Sequence, residues 1–106
     1  MKDRLLPLRH ILDAIELIES YTAAGKRAFL HETMRRDAIA RNLEVIGEAV
    51  TRLPETRDFP WRDPIDMRNW LIHRYDVVDL DVVWDTATVD IPVLKGVVIE
   101  LLAGDG

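Results

Sequence analysis

The sequence predicts an all-α fold: an antiparallel up-and-down four-helix bundle with one short extra helical turn. Three observations predict it. Apolar residues recur at steps of three and four through most of the chain, no segment shows the two-residue alternation of a half-buried strand, and the connections are short and marked by glycine or proline.

In the first element Leu5, Leu8, Ile11, Leu12, Ile15 and Ile18 form one apolar stripe, and Gly25 is placed to end it, so a helix is expected from Arg4 to Ala24. Lys26 to His31 reads as a short helical turn or a loop. Thr33 is positioned to cap a second helix, whose stripe Ile39, Leu43, Ile46, Val50, Leu53 is stopped by Pro54. Residues 54–64, PETRDFPWRDP, carry three prolines and no periodicity, and form the main interhelical loop. Asp63 as N-cap, Pro64 in the first turn and Asp66 facing the helix dipole then start a third helix, which ends near Arg74 or Tyr75. Asp79 can cap a last helix with Leu80, Val83, Trp84, Ala87, Ile91, Leu94, Val98 and Leu101 on its apolar face. Pro92 should kink that helix without breaking it, because the period continues on both sides. VVIELL has the composition of a strand, but its place in this periodic run makes it helical.

A chain of 106 residues suits one domain spanning 1–106. It has no cysteine, which removes disulfides and thiolate metal sites, and a reducing cytoplasm is the expected setting. MKDRLLPLRH lacks the apolar run of a signal peptide and no segment reaches a membrane span, so a soluble, cytoplasmic protein with no membrane partner is expected. The formal net charge of -5 argues against a general nucleic-acid binder, and no DNA partner is expected. The charge is uneven, however. Residues 1–75 carry 13 Lys/Arg against 12 Asp/Glu, whereas residues 76–106 carry Lys95 alone against seven acids. An anionic substrate should therefore meet the first three helical segments, and the last is either a solvated face or suited to a basic partner.

The chemistry-bearing stretch is MRNWLIHRYD, residues 67–76. At about 100° per residue Asn69 and His73 share a helix face, and Arg68 lies about 140° from His73, within the swing of a long side chain. Met67, Trp70 and Leu71 take the opposite, packing side. Each polar residue has a plain structural reading: Arg68 as an ion-pair partner, Asn69 as a surface amide, His73 as a last-turn residue favoured by the dipole, Tyr75 as a half-buried ring. Together they can do more. Histidine titrates near neutrality and can take a proton from a ribose 2′-hydroxyl or give one to a leaving 5′-oxygen. Arginine offers forked donors to phosphate oxygens as charge builds on them. One histidine cannot easily serve as both base and acid, so two strips facing each other in a two-fold dimer would complete the site.

Metal chemistry is not expected. His10, His31 and His73 lie on separate elements, and Asp76, Asp79 and Asp81 lack the glycine and flanking ligands of a calcium loop. No phosphate-binding glycine loop or Gly-x-Ser-x-Gly elbow is present, and no cofactor is implied. In RNLEVIGEA, residues 41–49, Asn42 and Glu48 lie near the apolar stripe. Gly47 there costs helix stability of about 1 kcal/mol against alanine, which points to a close approach by another helix or chain, or simply to a packed neighbour.

MRNWLIHRY resembles the R-x4-H-x-Y motif of HEPN-domain proteins, in particular the HepT-like ribonuclease toxins paired with a minimal nucleotidyltransferase antitoxin of the MntA type. LRHILDAIELIESYT, RDAIARNLEVIGEAVTRLP, PW before the motif and VDLDVVWDTATVDIPVLK after it extend the resemblance over nearly the whole chain. It implies the toxin of a type VII HEPN/nucleotidyltransferase toxin–antitoxin system: a homodimer with a metal-independent endoribonuclease cleft between its motifs. At the matching positions Arg68 would stabilise the phosphate, His73 would be the acid/base residue, and Asn69 would orient substrate or histidine. Tyr75 would be the tyrosine that the antitoxin adenylylates. Arg74 stands where many relatives carry an acid and could contact RNA, while Asp76 and Val77 replace a frequent aromatic and glycine, which bears on how the antitoxin approaches. A catalytically silent helical module that binds and positions a nucleotidyltransferase is the alternative.

Overall fold

A computed structural model describes residues 5–50, 52–53 and 80–105. Their elements are α1 (Leu6–Thr22), α2 (Lys26–His31), α3 (Thr33–Val50), α4 (Leu80–Asp85), a π-helical turn (Thr86–Asp90) and α5 (Ile91–Asp105). The protein is all-α, and no strand occurs among the described residues. The expected loop 54–64, the third helix with its Asp63, Pro64 and Asp66 start signals, and the Asp79 cap lie outside the described residues.

The periodic stripes become the core. Ile11, Ile15 and Ile18 of α1 pack with Ile39, Leu43, Ile46 and Val50 of α3, and with Val83, Ala87, Ile91, Leu94 and Val98 of the last helical run. Each fully buried isoleucine or leucine contributes about 1.5–3 kcal/mol by leaving water, so these three stripes supply most of the driving force. Gly47 lies on the buried side of α3.

α1 and α3 run antiparallel, because the end of α1 meets the start of α3 and His10 of α1 faces the later turns of α3. The reversal between them is a tight one. Gly25 has φ +93° and ψ 169°, a conformation open essentially to glycine alone, and its N–H donates to the Thr22 carbonyl at 2.9 Å. The following turn, α2, inserts Phe29 fully into the core, with its ring 5.3 Å from that of Trp84.

Two arginines close this turn. The Arg35 guanidinium donates to the Tyr21 carbonyl at 3.0 Å and to both carboxylate oxygens of Glu32. That of Arg36 donates to the carbonyls of Phe29 and Leu30 and, at 3.1 Å, to the Thr33 hydroxyl. Carbonyls at helix C-termini lack intrahelical donors and carry partial negative charge, so cations are well placed there. Thr33 is therefore not the expected cap. It is the first helical residue, the Glu32 carbonyl accepts the first intrahelical bond from Arg36 N–H, and the Thr33 hydroxyl serves the Arg36 side chain.

α3 ends at Val50, three residues before the expected stop, and the backbone tightens into bonds from Arg52 to Ala49 and from Leu53 to Val50. Leu53 stays buried, so the stripe continues past the regular helix. The last run passes Pro92 without breaking. It does so through the π-helical turn, in which Ile91 N–H reaches the Thr86 carbonyl. A proline ring clashes with the carbonyl four residues back, and a widened turn just before it relieves that contact. Thr86 and Thr88 donate their hydroxyls to the Val82 and Trp84 carbonyls, both at 2.8 Å, which supplies acceptors there with partners.

Candidate nucleic-acid interface

The residues singled out in the sequence, Arg68, Asn69, His73, Arg74 and Tyr75, lie outside the described residues. Of the other histidines, His10 is exposed on α1 and His31 exposed at the end of α2, on separate elements as expected. Among the described residues no group of three His, Cys, Asp or Glu side chains could hold a metal ion.

The described part of the molecule contributes a groove of about 340 Å³ between the first half of α1 and the later turns of α3. Val45 and Ala49 give it an apolar floor. Its polar walls are His10 from α1 and, from α3 and the turn after it, Arg41, Glu44, Glu48 and Arg52. The four α3-side residues follow one another at steps of three, four and four, so the helix repeat places them on one side. Arg41 approaches Glu44 at 3.8 Å, a loose contact that leaves most of its side chain, 75%, in solvent. The Arg52 guanidinium has no ion-pair or hydrogen-bond partner among the described residues.

This sorts the cations of the first half by role. Arg35 and Arg36 are committed to helix ends, and Lys26 pairs with Asp81 at 2.8 Å. Arg41 and Arg52 remain available beside a cavity. Forked donors that keep their charge at any physiological pH suit phosphate oxygens, and the histidine and apolar floor suit a ring. Sequence reading noted Glu48 and Asn42 as polar residues near the stripe but did not find this groove. Asn42 donates to the Ala38 carbonyl at 2.8 Å. The signal was the Arg-x2-Glu-x3-Glu-x3-Arg spacing from 41 to 52, but its partner His10 lies 31 residues away, and only the α1–α3 packing joins them.

A helical bundle with an open groove that carries an arginine toward each end and two glutamates between them offers charged and polar groups to a ligand, and comparison with known proteins narrows the class. The family model described as ribonuclease HepT-like matches residues 11–101. The chain is 42% identical to the "Probable ribonuclease HepT" of Thermococcus cleftensis, over 84% of this chain and 86% of that protein. It is 39% identical to the "Putative RNase TTE0752" of Caldanaerobacter subterraneus subsp. tengcongensis, over 90% of each. It is also 39% identical to the "Gamma-glutamylcyclotransferase and putative RNase MJ0434" of Methanocaldococcus jannaschii, over 95% of this chain but only 48% of that longer protein. No solved structure matches the chain. The chain belongs to the HepT-like ribonuclease family.

Proposed function

We propose that this protein is the toxin of a HEPN/nucleotidyltransferase toxin–antitoxin pair, acting as a metal-independent endoribonuclease in a homodimer. The observation that carries the reading is Arg68-x4-His73-x-Tyr75 inside a chain matched to the HepT-like ribonuclease family over residues 11–101. In the proposed reaction His73 of one protomer removes the ribose 2′-hydroxyl proton. The 2′-oxygen attacks the adjacent phosphorus, and the P–O5′ bond breaks. His73 of the partner subunit protonates the departing 5′-oxygen. The products are a 2′,3′-cyclic phosphate and a free 5′-hydroxyl. Arg68 stabilises the charge that grows on the non-bridging oxygens, and Asn69 orients substrate or imidazole. Arg74 adds a cation beside the RNA path.

Tyr75 is the site at which a separately encoded nucleotidyltransferase silences the enzyme. Attaching AMP there adds bulk and negative charge two residues from His73, which repels the RNA backbone and blocks its approach.

The test incubates purified wild type and the His73→Ala variant with total RNA in excess EDTA, after mass spectrometry has shown Tyr75 unmodified. Cleavage by wild type alone, leaving 2′,3′-cyclic phosphate ends, is expected. RNA left intact by both, in a sample that a known ribonuclease degrades, refutes the activity. The second reading, a silent module that positions a nucleotidyltransferase, is favoured by the net charge of -5 and the acidic residues 76–106. It predicts that cells expressing the chain alone grow normally and do not distinguish wild type from His73→Ala.

A further inference from the structure

We infer that the α1–α3 groove holds one nucleotide of a single-stranded RNA, with separate backbone phosphates of the same strand gripped by Arg41 and Arg52. The inference rests on the ribonuclease reading above and adds to it a substrate-holding site built from residues outside the R-x4-H motif.

Size gives the first argument. A cavity of about 340 Å³ lies at the small end of ligand sites, room for a base and its sugar but not for a duplex. Spacing gives the second. Arg41 and Arg52 stand eleven positions apart, Arg41 on α3 and Arg52 just past its end. The two positions are too far apart to share one phosphate, so a strand lying along the groove meets them with separate backbone phosphates.

Charge pattern gives the third. Glu44 and Glu48 lie between the two arginines, so the sequence of charge along the groove is positive, negative, negative, positive. The central negative charge repels a small free anion, and the Glu44 carboxylate, in only loose contact with Arg41, suits a hydrogen bond from the amino group of adenine, cytosine or guanine. His10, on the facing wall, offers an aromatic plane for the base, and Val45 and Ala49 offer apolar surface beneath it. Arg41 touches Glu44 only loosely and stays largely in solvent, and Arg52 has no ion-pair partner among the described residues.

The experiment uses the full chain carrying His73→Ala, so that RNA survives the measurement, and reads fluorescence anisotropy with a fluorescein-labelled single-stranded RNA of mixed sequence. Adding Arg41→Ala and Arg52→Ala together should weaken binding about tenfold or more, and should flatten the plot of log K against log salt by about 1.4, the loss of two single-strand phosphate contacts. Arg27→Ala removes an exposed cation from α2, at the other end of the α1–α3 pair, and should change affinity less than twofold. The Arg41→Lys, Arg52→Lys variant should recover much of the affinity, which separates lost charge from a lost fold; circular dichroism checks the fold of each variant.

Unchanged affinity or salt slope in the double alanine variant overturns the inference, as does an equal loss from Arg27→Ala or no RNA binding by any variant. Wild-type cleavage in EDTA is measured alongside. If wild type cleaves while the double variant binds normally, the groove fails and the ribonuclease stands. If wild type leaves RNA intact while the groove binds as described, the catalytic reading fails and the groove stands.

Discussion

Gly25 and Gly96 offer a test in which one chemical change should have opposite effects. A methyl group added at either position meets no heavy atom within 4 Å, so Gly→Ala alters only the backbone's preferences. At Gly25, φ +93° and ψ 169° lie in a region that costs a non-glycine residue about 1–3 kcal/mol. The reduced freedom of the unfolded chain returns about 0.4–1 kcal/mol, leaving Gly25→Ala destabilised by about 1–2 kcal/mol. Gly96 sits in the interior of α5, exposed, where alanine is the better helix former by about 1 kcal/mol. The two variants should therefore differ by about 2–3 kcal/mol. With a urea slope of about 1.5 kcal/mol/M, their midpoints separate by about 1.5–2 M, measured by circular dichroism at one fixed protein concentration. A neutral or stabilising Gly25→Ala, or a shift of the same sign in both variants, refutes the account of the α1–α2 reversal.

Two further outcomes follow from the same region. Phe29→Ala empties a fully buried site against Trp84 and should cost about 3–5 kcal/mol, enough to bring the thermal midpoint well below that of wild type in a calorimetric scan. Arg36→Ala removes donors to two carbonyls and the Thr33 hydroxyl and should cost about 1–2 kcal/mol in urea melts; a change within 0.5 kcal/mol of zero would show that water replaces the guanidinium there without loss.

The fold was legible in the sequence where one physical rule acted alone. The helical repeat of apolar residues in α1, α3 and the last run identified the buried face, and Ile15, Ile46 and Leu94 all lie there, at 0%, 1% and 0% exposure. Gly25 was legible because few residues can end a helix this way. Where two local signals competed, the reading slipped. Thr33 has the chemistry of a cap, but Arg36, one turn on, claims its hydroxyl and leaves Glu32 to begin the helix. Pro92 announced a disturbance without its form. The hydroxyls of Thr86 and Thr88, four residues after the carbonyls they engage, were the available sign that the helix changes its winding before the proline. The groove was the least legible feature, since Arg41, Glu44, Glu48 and Arg52 look in sequence like an ordinary solvated stripe. Tertiary packing supplies the wall that His10 adds.

Two charged residues of the acidic stretch 76–106, Asp81 and Lys95, have a structural use beyond solvation. Lys95, the only Lys or Arg in that stretch, lies 3.0 Å from both carboxylate oxygens of Glu19 on α1, and Asp81 of α4 lies 2.8 Å from Lys26 of α2. The two pairs have opposite polarity and tie the last helical run to α1 and to α2. A slip of the last helical run by one turn against α1 and α2 together breaks both, and no second cation in residues 76–106 can replace Lys95. The contribution of each pair to stability is small, because side chains 31% and 45% exposed are well screened by water. Register is the larger consequence, since a misplaced charge disfavours the wrong alignment more than a correct pair favours the right one. Lys95→Glu should therefore destabilise by about 1 kcal/mol at low salt, and by less at 1 M salt, where the Debye length falls to about 3 Å. Adding Glu19→Lys should restore most of the loss by recreating the pair in reverse. If the double variant is no more stable than Lys95→Glu alone, the pair does not set the alignment, and the apolar stripes carry it unaided.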